Sequence, residues 1–177
     1  MVGHKFNIFL IGFMGCGKTS LGKLLARKLK FEFLDTDLLI EEQEKSSIQE
    51  IFNSKGETYF REKEYEVLLE LSKINHPTIF STGGGMPIFN DNLSLMKNNG
   101  LVVFLDVPIG MLYSRLKNDV KRPLLASQIN LLEYIKVSLN ERKPIYTKAN
   151  LIVDGSLNKS ELVTTIADFY KQSILEK

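Results

Sequence analysis

The chain reads Gly12-Phe13-Met14-Gly15-Cys16-Gly17-Lys18-Thr19 near its start, and this octapeptide matches the phosphate-loop pattern G-x-x-x-x-G-K-[ST] in full. It follows the apolar run Phe6 to Ile11 and precedes leucines at helical spacing, namely Leu21, Leu24, Leu25 and Leu29. A glycine-rich turn between a strand and a helix directs backbone N–H groups and the helix dipole at phosphate oxygens. We therefore expect nucleotide binding, with Lys18 on the β- and γ-phosphates and Thr19 as a ligand of Mg²⁺.

Length and composition indicate a soluble enzyme of one domain over residues 1–177. The chain is 44% hydrophobic and 25% charged, which suffices for one substantial core. Its 23 basic and 21 acidic residues leave a net charge of +2 without a long basic run, which disfavours nucleic acid and membrane partners. The one cysteine, Cys16, suits a reducing compartment, and the first apolar segment is too short to span a bilayer. We expect a cytoplasmic protein.

Strand-like and helical runs alternate along the sequence, which is typical of an α/β protein with a parallel sheet covered by helices. The five predicted strands, mostly apolar as buried strands require, are Phe6 to Ile11, Phe31 to Asp35, Thr78 to Ser81, Leu101 to Asp106 and Leu151 to Val153. Polar or glycine motifs follow the first three strands, where open α/β sheets bind ligands. We therefore expect these motifs to converge in space.

Two inserts interrupt this alternation. Residues 37–74 are predicted to form consecutive helices, one of them begun by a capping box between Ser47 and Glu50, and could form one wall of a cleft. Residues 118–130 are polar and are predicted to form a mobile lid, with helical spacing resuming at Leu131. The last helix is predicted from about Asn158.

Asp35 and Asp37 follow the second predicted strand and supply two carboxylates to one site. One carboxylate could orient Mg²⁺ or its waters, and the other could accept the proton of an attacking hydroxyl. Asp106 ends another apolar strand and is an alternative metal aspartate, although a position near a helix start also explains it. The richer acidic cluster favours Asp35 over Asp106 as the metal ligand.

Arginines and glycines in later segments are candidates for binding an anionic substrate. Arg61 and Arg142 carry planar guanidinium groups that bind carboxylates through paired hydrogen bonds, although Arg61 could instead pair with Glu57 or Glu64 along its helix. The run Gly83-Gly84-Gly85 permits close approach of backbone N–H groups to a ligand, or is a plain flexible loop. The residues that could form an apolar wall beside the substrate, or simply core, are Ile48, Phe52 and Phe60.

Two further arginines are candidates on the nucleotide side. Arg122, in the predicted lid, could close over the phosphates and neutralise charge that develops during transfer. Arg115 could contact the nucleotide base or phosphates, or lie on a solvated helix face.

Taken together, these segments resemble the shikimate kinase family along nearly the whole chain. The matching pieces are the phosphate loop at 12–19, Asp35-Thr36-Asp37, Ile48 to Phe52, Gly56-Glu57 with Phe60-Arg61 and Glu64, Thr82 to Gly85, Arg122 to Leu125, and Arg142 with Pro144, Tyr146 and Ala149. The resemblance implies a P-loop kinase fold with a five-stranded parallel sheet, a helical substrate-binding insert and a mobile lid. It also implies ATP-dependent phosphorylation of the 3-hydroxyl of shikimate, in the pathway to aromatic amino acids, and we expect a monomer.

The resemblance also implies roles for individual residues. Lys18, Arg122 and Asp37 would be catalytic, Asp37 by orienting or deprotonating the accepting hydroxyl, and Thr19 and Asp35 would serve Mg²⁺. The ATP contacts would come from Gly15, Cys16, Gly17, Lys18, Thr19, Ser20, Arg115 and Arg122. The shikimate contacts would come from Asp37, Arg61, Gly83, Gly84, Gly85 and Arg142. Family members usually carry glycine at the position of Lys45, which is unfavourable if that turn needs positive φ.

Without the resemblance, the residues support phosphate transfer to a small, hydroxylated, anionic molecule. A sugar-acid kinase resembling gluconate kinase is the nearest alternative, but it does not account for the triple glycine together with Phe60-Arg61 and the late Arg142. A nucleotide-dependent switch is an alternative of another class. Such switches usually read guanine with N-K-x-D, which the closest stretch, Lys117-Asn118-Asp119, does not match.

Overall fold

A computed structural model describes residues 7–117 and 130–175. The elements of the first half are β1 (Asn7–Ile11), α1 (Lys18–Leu29), β2 (Glu32–Asp35), α2 (Thr36–Glu44), α3 (Ile48–Leu71), β3 (Thr78–Ser81) and a 3₁₀ turn (Met86–Ile88). They are followed by α4 (Asn92–Asn99), β4 (Gly100–Asp106), α5 (Ile109–Leu116), α6 (Leu131–Tyr146), β5 (Leu151–Asp154) and α7 (Lys159–Leu175).

The five strands form one parallel sheet in the order β2-β3-β1-β4-β5. In its register, Phe9 lies opposite Phe80 of β3 on one side and Val102 of β4 on the other. β1 and β3 are buried throughout, and β4 is buried up to Leu105. The predicted parallel sheet and the positions of its strands are therefore confirmed.

The two outer strands differ from the expectation that the strands are fully buried. Residues of β2 and β5 are mostly half-buried or exposed, and Ile152 of β5 is 47% exposed. Each of these strands has a neighbour on one side within the sheet, so its other edge lacks that cover. Apolar runs in sequence did not distinguish edge strands from central ones.

The helices pack against the strands and against one another to complete the core. α1 packs against α7, and the ring of Phe31 meets that of Tyr170 edge to face at 5.4 Å. α6 packs against α5, and α4 contacts β4, α3 and the 3₁₀ turn. None of the helices in the described ranges is long and apolar enough to cross a membrane.

The helical insert begins as the sequence predicts. Ser47 accepts a hydrogen bond from the backbone N–H of Glu50, whose carboxylate accepts one from the backbone N–H of Ser47 at 2.8 Å, so the predicted capping box is present. α3 is interrupted at Gly56, which has φ +83° and ψ 175°, and its two parts run in different directions. Lys45, which ends α2, adopts φ +50°, so the turn does require the left-handed region. The predicted lid at 118–130 lies outside the described residues except for Asn130.

Candidate active site

The phosphate loop joins β1 to α1 as an open cradle. Gly12, Gly15 and Gly17 have φ values of +140°, +75° and +101°, which explains the two glycines of the pattern and the third glycine between them. No side chain caps the first turn of α1, so its N–H groups remain available to an anion. Lys18 is 8% exposed, and its amine donates to the carbonyl oxygens of Gly12 at 2.8 Å and Phe13 at 3.0 Å.

An oxygen cluster lies beside this loop, where β2 and β3 end. The hydroxyl of Thr19 donates to Oδ2 of Asp35 at 2.7 Å and lies 3.2 Å from the hydroxyl of Ser81. The other oxygen of Asp35 accepts the backbone N–H of Asp37 at 3.1 Å and caps α2. Hydroxyl and carboxylate oxygens suit Mg²⁺, which uses few protein ligands and keeps several waters.

Asp106, the alternative metal aspartate, is engaged elsewhere. Its Oδ2 accepts the amine of Lys143, on α6, at 2.7 Å. The carboxylate that contacts the phosphate-loop hydroxyl is therefore that of Asp35.

Two cavities meet at the phosphate loop. One, of about 250 Å³, is lined by Met14, Gly15, Gly17, Lys18, Thr19, Ser20, Asp35, Asp37, Ser81, Thr82 and Gly84. The other, of about 340 Å³, is lined by Gly15, Cys16, Gly17, Ser20, Leu21, Leu105, Arg115, Gly155, Leu157, Lys159 and Leu162. A nucleotide with its phosphates over the loop could therefore extend into the second cavity while its last phosphate faces Asp37 in the first.

Arg115 takes part in the wall between the loop and the second cavity. Its guanidinium donates to the carbonyl oxygens of Gly15 and Cys16, each at 3.2 Å. Arg115 is exposed on α5, as in the solvated interpretation, and its guanidinium also contacts the loop beside the second cavity.

Arg61 is buried at the edge of the triple glycine, with 7% of its surface exposed. Its guanidinium pairs with Glu64 at 2.5 Å and Glu57 at 2.8 Å and lies over the ring of Phe89 at 4.4 Å. A methyl group on Gly85 would overlap this guanidinium. Arg61 therefore makes the helix ion pairs of the alternative interpretation and also lies against the predicted substrate loop.

Glu64 is buried together with Arg61, and sequence reasoning gave it no role of its own. Burial raises the pKa of its carboxyl to about 7 although the charge of Arg61 opposes the shift, and Asp37 adds to it. A methyl group on Gly83 would lie 2.6 Å from Oε1 of Glu64 and 2.7 Å from Oδ1 of Asp37. Gly83 therefore lacks a side chain where these two carboxyl groups approach its backbone.

Arg142 lies on α6 and approaches the middle residue of the triple glycine. Its guanidinium lies 5.4 Å from the centre of the Phe13 ring and 3.8 Å from where a Cβ of Gly84 would stand. One helical turn later, the hydroxyl of Tyr146 donates to the carbonyl oxygen of Gly84 at 2.5 Å. Arg61, Arg142 and the glycines are thus brought together, as the sequence predicts for an anion site.

The remaining predicted residues have three different outcomes. Phe52 and Phe60 lie with ring centroids 4.7 Å apart, and Phe60 is buried, so this part of the predicted apolar wall belongs to the core of the insert. Ser20 donates to the carbonyl oxygen of Gly17 at 3.0 Å and lines both cavities. Arg122 lies outside the described residues.

Sequence reasoning missed several residues that shape the site, namely Phe13, Ser81 and Phe89. Ser81 ends a strand beside the triple glycine, so its position at a carboxyl end could have indicated it. Phe13 and Phe89 are placed under Arg142 and Arg61 by loop conformation, for which the sequence carries no clear signal.

Comparisons with known proteins agree with this geometry. A family model described as shikimate kinase matches residues 14–171. A shikimate kinase of Sulfurihydrogenibium sp. is 47% identical over 149 residues, covering 84% of this chain and 87% of the relative.

Among solved structures, the shikimate kinase from Acinetobacter baumannii in complex with shikimate superposes with a TM-score of 0.89 at 33% identity, covering 96% of this chain and 95% of that one. A gluconokinase from Sinorhizobium meliloti has a TM-score of 0.60 at 14% identity, covering 99% of each chain, a likeness of fold alone. On the extent and identity of the first matches, the chain belongs to the shikimate kinase family.

Proposed function

We propose that this chain transfers the γ-phosphoryl group of ATP to the 3-hydroxyl of shikimate, releasing ADP and shikimate 3-phosphate. The observation that carries this proposal is that a single cavity is lined by Lys18, Thr19 and Asp35 together with Asp37 and Gly84. A phosphate on the loop and an alcohol beside Asp37 would therefore share one cavity, as in-line transfer requires.

The proposed nucleotide site combines the loop with both cavities. In the free protein, the amine of Lys18 donates to the carbonyl oxygens of Gly12 and Phe13 in its own loop. On nucleotide binding it would exchange these carbonyl oxygens for phosphate oxygens. Thr19 and Asp35 would hold Mg²⁺, which supplies charge neutralisation on the phosphates when bound. Arg115 would steady the loop beside the nucleotide, and Arg122 would supply a further positive charge from the lid.

The proposed acceptor site uses paired guanidinium groups. Arg61 and Arg142, together with the backbone of Gly83, Gly84 and Gly85, would bind the carboxylate of shikimate and so orient its ring. Asp37 would accept the proton of the 3-hydroxyl as its oxygen bonds to phosphorus and the bond to the ADP oxygen breaks. No covalent enzyme intermediate is needed, because positioning and charge neutralisation supply most of the catalysis.

We further propose that one copy of the chain forms a single domain that carries the complete site and works in the cytoplasm, without nucleic acid or membrane as partner. The near balance of 23 basic and 21 acidic residues supports the absence of such a polyanionic partner.

ADP release against a panel of hydroxy acids tests the function. We expect release that depends on shikimate, little release with gluconate, and a large loss in a Lys18→Met variant that keeps the length of the side chain. Gluconate-dependent release would instead support the sugar-acid kinase. No response to any small acceptor would support a nucleotide-dependent switch.

A further inference from the structure

Tyr146 is the last residue of α6, and its ring is fully buried. The ring packs against Phe104 of β4 with centroids 5.1 Å apart, so the sheet fixes the position of the side chain. Its hydroxyl donates to the carbonyl oxygen of Gly84 at 2.5 Å. Burial raises the pKa of Tyr146 to about 12, although the charge of Arg142 opposes the shift, so the hydroxyl keeps its proton and remains a donor at neutral pH.

All three carbonyl oxygens of the triple glycine accept hydrogen bonds, and that of Gly84 accepts the bond from Tyr146. The carbonyl oxygen of Gly83 accepts from Met86, and that of Gly85 accepts from Ile88 within the 3₁₀ turn. Both bonds are local, whereas the bond from Tyr146 joins residues 62 positions apart. Consecutive glycines rotate easily, and rotation of the peptide between Gly84 and Gly85 would reverse the direction of its N–H group.

The Gly84 backbone also lies at a junction of three segments. A methyl group there would lie 3.3 Å from the backbone nitrogen of Met14, 3.4 Å from the carbonyl oxygen of Gly12 and 3.8 Å from the guanidinium of Arg142. Because Arg142 is one turn before Tyr146, the hydroxyl fixes the loop relative to the helix that carries this guanidinium.

We propose that Tyr146 is a positioning residue for the acceptor, holding the Gly84–Gly85 peptide so that its N–H group and the Arg142 guanidinium face the same carboxylate. This inference rests on the proposed function, since it takes shikimate as the acceptor. The hydrogen bond is made to the triple glycine and not to Lys18 or Thr19, so we expect its loss to affect the acceptor more than ATP.

The test compares Tyr146→Phe, which keeps the ring and removes the donor, with Tyr170→Phe. Tyr170 is an equally buried tyrosine on α7, away from both cavities. In Tyr146→Phe we expect the KM for shikimate to rise about tenfold, the KM for ATP to change by less than about twofold, and amide hydrogen exchange at residues 82–88 to quicken about tenfold. In Tyr170→Phe we expect none of these changes at the site. The melting temperatures of the two variants show how far each substitution destabilises the fold.

Several results would overturn the positioning role. One is unchanged exchange at residues 82–88, and another is a rise in the KM for shikimate no larger than in Tyr170→Phe. Equal rises in both KM values would indicate general loosening and would overturn it too. If the wild type releases no ADP with shikimate, the proposed function fails instead, and the exchange comparison alone then decides whether Tyr146 holds the loop.

Discussion

Asp37 lies with Lys18 in the wall of one cavity, so its carboxylate is placed where an acceptor hydroxyl would meet a phosphate. Replacing it by Asn keeps the shape and removes the proton acceptor. We expect Asp37→Asn to lower kcat by about 10²- to 10⁴-fold, the usual contribution of a positioned base, while the KM for ATP changes little. Steady-state kinetics with each substrate varied would measure both, and turnover close to that of the wild type would remove Asp37 from the mechanism.

Arg142 offers a planar fork that lysine cannot reproduce. We expect Arg142→Lys, which keeps the charge, to weaken shikimate binding by about 1.5 to 3 kcal/mol, the scale of a charged hydrogen bond. Isothermal titration calorimetry with shikimate alone would measure this change directly. Arg115→Lys is the matched variant on the nucleotide side, because Arg115 contacts Gly15 and Cys16, and it should weaken ATP binding instead. Shikimate affinity unchanged in Arg142→Lys would refute the assignment.

At the scale of residues, the sequence predicted the residues that carry chemical groups better than the contacts that those residues make. The loop pattern indicated Lys18 and Thr19 because backbone geometry around such a loop is nearly invariant. The sequence favoured Asp35 over Asp106 only through its richer acidic cluster, since each aspartate ends a strand and the order of strands decides which one reaches Thr19. The contact between Tyr146 and Gly84 joins distant parts of the chain, and no local spacing could indicate it.

The break in α3 at Gly56 sets the direction of the helical segment that carries Arg61. With φ +83° and ψ 175°, this residue occupies a region that is essentially restricted to glycine. In the described part of the chain, and apart from the adjacent helix backbone, no heavy atom lies within 4 Å of where its Cβ would stand, so a substitution there acts mainly through the backbone. A carboxylate from α2 spans the break, because Glu44 accepts from Lys55 at 2.7 Å and from Tyr59 at 2.8 Å.

We expect Gly56→Ala to lower the free energy of unfolding by about 1 to 3 kcal/mol and to raise the KM for shikimate more than that for ATP. Lys45→Gly is the matched opposite change, since Lys45 holds φ +50° at the end of α2. It relieves that strain and should raise the free energy of unfolding by about 0.5 to 1 kcal/mol, with glycine's greater unfolded-state entropy opposing the gain. Urea titrations would measure both, and equal stabilities of Gly56→Ala and wild type would contradict the account.

At the scale of elements, the start of α3 could be predicted and its interruption could not. The capping box is a local pattern of Ser47 and Glu50, so the sequence predicted it correctly. A single glycine inside a helical pattern is compatible with a continuous helix, and the break at Gly56 depends on how the following segment packs. The partial exposure of the edge strands β2 and β5 was not predicted for the same reason, since exposure depends on strand order.

At the scale of the whole molecule, the sheet order places β3 between β1 and β2 and so brings the phosphate loop, the triple glycine and Asp35 to one edge. At that edge the carboxyl of Glu64 is buried beside Arg61, and only 1% of the Glu64 side chain is exposed. Burial raises its pKa from an ordinary value of 4.5 to about 7. The folded protein therefore binds this proton more tightly than the unfolded chain does, and this links stability to pH.

This linkage makes the protein less stable as the pH rises. The contribution of Glu64 to the free energy of unfolding is largest below pH 4.5 and is lost as the pH rises through about 7. Glu64→Gln keeps an acceptor for Arg61 and removes the titration. Between pH 5 and 8 we expect the free energy of unfolding of the wild type to fall by about 2 to 3 kcal/mol relative to Glu64→Gln. Other carboxyls whose pKa is lowered, such as those of Glu44 and Glu50, have the opposite dependence but are shared by both proteins and cancel in the difference. Parallel stability curves in urea titrations across this range would mean that Glu64 is already ionised at pH 5, and that its pairing with Arg61 outweighs burial.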